Sequence, residues 1–238
     1  MDWIAALEHE GHALSVAARH DPTATIPNCP GWAVDDLLRH VGHAHHNALL
    51  VVAEQRAERP AKGEINPPHS NALGWYEVGL AALLDVLRST DPEAGPVYTF
   101  AGPGPSKFWF RRMAHETAVH RVDAEQATGK VTPIDPTLAV DGIAEMLEVF
   151  LPLLAGRKPD PDPAPGTVHL HATDVEGEWL VTFGPTVTVE RGHAKGDAAV
   201  RGAAADLYLW LWGRRSIDDL EVFGDPAMAV RLRAATTV

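Results

Sequence analysis

RRMAHETAVHRVDAE, residues 111–125, reads as the middle of a helix. The helix begins near Lys107, after the glycine- and proline-rich AGPGPS, and closes at Thr128 with Gly129 at the C′ position. Within it Glu116 and His120 stand four apart, which sets them about 40° apart around the axis and stacks them on one face. At that spacing a carboxylate and an imidazole can bind one metal ion together. His115 and His120 stand five apart, about 140° around the axis. That excludes the zinc-protease pattern, whose histidines are at i and i+4 with the glutamate between them. A Glu–His pair at i, i+4 also stabilises a helix with no ion present, so spacing alone leaves both readings open.

Working outward, residues 2–19 carry Ile4, Leu7, His12 and Leu14 at helical spacing, and the proline-rich DPTATIPNCPGW breaks the pattern. A second helix is predicted from about Val34 to Glu58 on the stripe Leu37, Val41, Ala44, Ala48 and Val51, and a third over Asn71–Arg88. A fifth is predicted over Pro136–Leu154, capped by Asp135 with Pro136 at its first position. GRKPDPDPAPG, residues 156–166, reads as an extended linker. Beyond it the period changes to two: Thr167–His171, Trp179–Phe183 and Val187–Val189 read as strands, and Ala203–Trp212 and Pro226–Ala234 as short helices. The expected fold class is α+β, with a four- or five-helix bundle over residues 1–156 and a small α+β domain over 166–238.

A metal ion needs further donors, and DDLLRHVGHAHHN on the second helix offers His40, His43, His45 and His46. His40 lies about one turn after Leu37 and beside Val41, near the core-facing edge; His45 and His46 are expected further round, toward solvent. His40 is preferred, with His43 in reserve. Two histidines and one carboxylate (His40, Glu116, His120) leave coordination positions open, as in catalytic zinc sites, and would equally suit another divalent ion such as nickel.

Composition narrows the partners. The 238 residues carry 32 acidic and 20 basic side chains, a formal net charge of −12. Such a surface repels phosphate backbones and anionic membrane, so neither nucleic acid nor membrane is an expected partner. The N-terminal stretch lacks the basic start and apolar core of a signal peptide, and no apolar run approaches the roughly 18 residues of a membrane span. Cys29 stands alone and forms no internal disulfide. A cytoplasmic protein is expected.

At CPGWAVDDLLRHVGH (29–43), RRMAHETAVHRVDAE (111–125), GAAADLYLWLWGRR (202–215) and DLEVFGDPAMAVRL (219–232), the chain resembles the mycothiol-dependent maleylpyruvate isomerase family of actinobacteria, within the DinB/YfiT-like metal-binding bundles. The resemblance runs in matching order over nearly the whole chain. It implies that His40, Glu116 and His120 bind the metal, and that an arginine of the C-terminal domain acts near it; Arg214 matches best, with Arg215 as competitor. It further implies mycothiol as the low-molecular-weight thiol and a small electrophilic molecule as substrate. A metal-bound thiolate would add to a cis double bond, the resulting single bond would rotate, and elimination would give the trans isomer. The same site could instead transfer the thiol to an electrophile and stop there. The rival readings are a metal-dependent hydrolase using metal-bound water and a non-catalytic small-ligand-binding protein.

Other residues are assigned by position. Arg112, four before Glu116, faces the metal side and would bind an anionic cofactor group or pair with an acidic residue. Asp123, three after His120, could accept that histidine's second N–H. Cys29 reads as structural. Trp32 reads as a hydrophobic staple, and Trp210 and Trp212 as packing residues.

Overall fold

The computed structural model describes residues 1–157 and 164–237. They form two compact units, Asp2–Thr132 and Pro133–Val238, considered in turn.

The first unit is a bundle of α1 (Trp3–Ala18), α2 (Val34–Ala53), α3 (Ala72–Ser89) and α4 (Lys107–Thr128). Side-chain caps set the helix starts: Asp2 accepts from the Ala5 amide at 3.0 Å and Asn71 from that of Gly74 at 3.2 Å. Gly129, at φ +82°, closes α4 as its sequence position requires. α2 stops at Ala53, short of the predicted Glu58. Gln55 turns left-handed there and the Arg56 amide donates back to Val51 O at 3.0 Å. α1 packs on α3 and α4, and α2 on α3 and α4. Leu7, Leu14, Leu37, Val41, Val51, Tyr76, Leu83 and Val122 are buried between them. The α2–α3 crossing is close because glycine stands under each ring of a stacked pair. His46 and Trp75 lie 4.4 Å apart at 5°, and a Cβ on Gly42 would sit 2.6 Å from Trp75 while one on Gly79 would strike His46.

α4 is buried on nearly every side although its sequence is largely polar. Its buried charges are paired inside the bundle. Arg121, 1% exposed, donates through Nε to Glu10 of α1 at 2.7 Å and through Nη1 to Glu125 at 2.8 Å and Thr132 O at 2.6 Å.

The second unit holds α5 (Pro136–Glu145), a π turn over Met146–Phe150, α6 (Leu151–Arg157), β1 (Gly166–Ala172), β2 (Glu178–Phe183), β3 (Thr188–Arg191), β4 (Ala198–Gly202), α7 (Ala204–Leu211), β5 (Glu221–Gly224) and α8 (Pro226–Ala235). The π turn falls where Pro152 cannot donate to Glu148, and widening the helix relieves the ring's clash with that carbonyl. The sheet order is β3-β2-β1-β4-β5, antiparallel except for the parallel β1–β4 pair. α7 and α8 pack on β1 and β4, while Val168, Leu170, Val181, Phe183 and Val200 are buried. β4 and β5 were not expected: AAVRG has two weak strand formers and EVFG is a short edge strand, so neither shows the alternation of β1 and β2. The domain boundary also differs from the one read at 156–166. The fifth helix packs on α7 and so belongs with the sheet, placing the division after Thr132. Part of that linker, residues 158–163, lies outside the described residues. Among the described residues no helix is long and apolar enough to cross a membrane.

Removing the cation of the buried network leaves two carboxylates facing each other without water. Arg121→Leu is therefore expected to cost the bundle about 3–5 kcal/mol, read as a lowered urea midpoint at unchanged slope; a shift under about 1 kcal/mol would show that the network contributes little.

Candidate metal centre

α2 and α4 bring three predicted ligands to one point. His40 Nε2 lies 3.0 Å and His120 Nε2 3.5 Å from the same atom, Glu116 Oε1. The two imidazole rings meet edge-on, 4.9 Å apart at 78°, and the three candidate donor atoms all lie within 4.8 Å of one another. The side chains are 43% (His40), 18% (Glu116) and 10% (His120) exposed. The cluster is thus closed on the α4 side and open at His40, whose ring has Trp32 5.0 Å away.

Each α4 donor is held from behind. His120 Nδ1 lies 2.9 Å from Asp123 Oδ2. The fully buried Asp123 also accepts from Cys29 Sγ at 3.8 Å and Asn28 Nδ2 at 3.5 Å. This fixes the ring so that Nε2 faces Glu116, the carboxylate–histidine arrangement seen behind metal ligands. Glu116 Oε2 accepts from Arg112 Nη2 at 3.0 Å, leaving Oε1 for the imidazoles. Arg112, 2% exposed, thus takes the second of its two anticipated roles here, pairing with an acidic residue.

The electrostatics match this geometry. Burial raises the Glu116 carboxyl, but hydrogen bonds from His120 and His40 and the Arg112 charge outweigh it and hold the group well below the usual carboxylate range. Burial lowers the His120 imidazole, yet Asp123 and Glu116 outweigh it and hold the ring above its ordinary value of 6.5. Below that raised value the imidazolium turns its Nε2 N–H toward Glu116 Oε1, where the ion would otherwise sit. Two neutral-capable imidazoles, a carboxylate and a backing acid are a donor set that fits a divalent transition ion.

The other α2 histidines face elsewhere. His43 lines a separate cavity with Asn47, Arg59 and Ile65. His45, expected toward solvent, is fully buried: it lies four residues after Val41, on the core stripe, and its Nε2 is 2.9 Å from Thr117 Oγ1. Burial pushes it down to about 3, so it is neutral. His46 is spent on Trp75. A second donor group, Cys29, His120 and Asp123, shares His120 but uses its Nδ1 side, where Asp123 is sealed from solvent. The open group at His40 is the better candidate. Asn28 was missed, since nothing in spacing joins it to Asp123, 95 positions away.

Arg214 follows α7 in the sheet-bearing unit, and its Nη1 donates to Trp212 O at 2.7 Å. Arg215 is engaged by Asp206 at 2.6 Å.

Comparison with known proteins bears on this arrangement. The family model described as the mycothiol maleylpyruvate isomerase N-terminal domain matches residues 5–125, and that of the corresponding C-terminal domain matches residues 137–231. An uncharacterized protein of Mycobacterium tuberculosis is 24% identical over 156 residues, 64% of this chain and 81% of that one. A crystal structure of a mycothiol-dependent maleylpyruvate isomerase superposes with a TM-score of 0.63 at 16% identity, covering 92% of this chain and 91% of the other. A mutant of that enzyme gives 0.62 at 14% identity with the same coverage. These two structures share the fold.

Two outcomes follow from the backing groups. Asp123→Asn keeps the shape behind His120 but removes the charge, and is expected to weaken zinc binding about 10- to 100-fold without loss of helical content. Competition with a chromophoric chelator measures this; unchanged affinity would remove Asp123 from the site. Because His120 holds its proton to a higher pH than a free imidazole, an entering ion must displace it. Zinc affinity should therefore fall as pH is lowered through that raised value, and binding at a pH below it should release a proton. Calorimetry in buffers of different ionisation enthalpy reads the proton directly.

Proposed function

Because the chain belongs to the mycothiol maleylpyruvate isomerase family, we propose that it is a metal-dependent enzyme that uses a low-molecular-weight thiol, mycothiol on the family's pattern, against a small electrophilic substrate. The observation that carries this reading is the convergence of His40 Nε2 and His120 Nε2 on Glu116 Oε1, with the cluster open at His40. Zinc, or another divalent ion such as nickel, would be held by these three residues and would supply an acidic environment in which a thiol gives up its proton and becomes nucleophilic.

The chain's own groups then have distinct tasks. Asp123 holds His120 in one tautomer and one orientation, so that Nε2 stays available. Arg112 fixes Glu116 and offsets its charge. The half-exposed His40 is the open member, on the side from which thiol and substrate would enter. Trp32, beside His40, supplies an apolar wall that keeps water from part of the opening. Arg214 is assigned to a substrate carboxylate, a planar anion that a guanidinium grips in bidentate fashion. Addition of the thiol to a cis double bond, rotation and elimination would give the trans isomer with the thiol regenerated. With a saturated electrophile the thiolate would instead displace a leaving group, the C–S bond forming as the carbon–leaving-group bond breaks, and the reaction would end in S-transfer.

Metal analysis of the purified chain against His40→Ala and Glu116→Ala tests the ligand assignment. Each variant is expected to lose most bound metal, and full retention would overturn it. Thiol dependence separates the chemistry. Turnover of a cis-unsaturated dicarboxylate should require added mycothiol, whereas thiol-independent turnover of an ester or amide panel would make the chain a hydrolase. Arg214→Ala is expected to cut turnover at least about tenfold with metal content unchanged. Equal turnover would remove it from the substrate site.

A further inference from the structure

β1, β2 and the turn after β3 carry a further cluster of potential metal donors, in the sheet-bearing unit and sharing no residue with the bundle. Alternation along β1 buries Val168 and Leu170, so His169 and His171 leave the strand on the opposite face. In the antiparallel register His171 stands directly across from Glu178 of β2, and His169 across from Leu180, one diagonal step from Glu178. β3 ends at Arg191, paired with Trp179. The next residue, Gly192, takes φ +118° and its amide donates to Glu178 O at 3.0 Å. That turn brings His193 back over the Glu178 side chain.

The result is three imidazoles around one carboxylate oxygen. Glu178 Oε2 lies 2.8 Å from His193 Nδ1, 2.9 Å from His169 Nε2 and 3.6 Å from His171 Nδ1. The His169 ring meets those of His193 and His171 edge-on, at 5.3 and 5.9 Å. One donor atom from each of the four residues lies within 4.8 Å of all the others. A tetrahedral ion with bonds of about 2.0–2.1 Å spaces its ligands roughly 3.3 Å apart, and the observed separations from Oε2 bracket that value. Hydrogen bonding alone explains the set less well. A single oxygen is asked to serve three rings, and a charge on any two of those rings would be repelled at this distance.

We propose that His169, His171, Glu178 and His193 form a four-ligand site for a first-row transition ion such as zinc, which clamps the β3–β4 connection onto the β1–β2 ladder. Imidazole donors select such ions over magnesium or calcium, and four protein ligands complete a closed, structural shell. His169 is buried and set by the strand, while the His193 side chain is 80% exposed and is the last to close. The ion therefore has an entry path from solvent.

Zinc titration of the full-length chain against a chromophoric chelator tests this. Wild type is expected to bind two equivalents. His193→Ala, an exposed position at which folding is not at risk, and Glu178→Gln should each weaken one equivalent at least about tenfold. His40→Ala with Glu116→Ala should abolish the other equivalent and leave this one intact. The exposed His20→Ala serves as control for scattered surface imidazoles and should change nothing. If His193→Ala and Glu178→Gln leave both equivalents unaltered, or if His20→Ala acts as strongly as they do, the sheet site is refuted. A single equivalent lost with His193→Ala and indifferent to His40→Ala would instead refute the bundle site alone.

Discussion

The structure of the first unit turns on one constraint: α4 is written largely in polar residues and is nevertheless buried. Each buried charged group on it must find a partner inside the protein, because an isolated ion away from water costs several kcal/mol. Arg121 is met by Glu10 and Glu125, Arg112 by Glu116, and His120 by Asp123 and Glu116. These pairings fix which face of α4 meets α1 and which meets α2. A purely apolar α4 would pack in several rotations about its axis. This one packs in the rotation that satisfies its charges.

That requirement is also what assembles the candidate centre. The pairs Arg112–Glu116 and Glu116–His120 are each four residues apart and His120–Asp123 three, so one row along the helix carries cation, acid, base and acid in sequence. Arg112 and Asp123, at the two ends, are sealed. The two middle groups present their remaining atoms to α2, where His40 completes the convergence. The opposite displacements of Glu116 and His120 in pKa express one fact: the row stabilises an acid that has lost its proton next to a base that keeps one. A divalent ion would replace that proton with a larger charge at the same place.

Much of this was legible in the sequence, and the limits are physical. Helices with strong apolar stripes and capping residues were found, as were the strands that alternate. The pairing of Glu116 with His120 follows from spacing within one helix, and the choice of His40 followed from its place beside the apolar stripe. His45 was expected toward solvent, further round the helix than His40, whereas its position four residues after Val41 puts it on the core stripe. β4 and β5 escaped notice because Ala198 and Ala199 are weak strand formers and the edge strand is only four residues long. The division after Thr132 escaped too. A proline-rich stretch advertises a linker, but the partner of α5 is decided by its packing on α7, which no local pattern encodes.

The sheet cluster was invisible for a related reason. His169-x-His171 is an ordinary alternation of strand residues, and its meaning depends on which residue of the neighbouring strand stands opposite. Register sets Glu178 across from His171, and a glycine turn sets His193 over both. In the bundle the donors of α4 are neighbours in sequence and one is recruited from afar. In the sheet every pairing except His169 with His171 crosses between segments. Helical periodicity compresses a site into one motif, while a sheet distributes it over the register. A sequence reading is therefore sensitive to the first kind of site and nearly blind to the second.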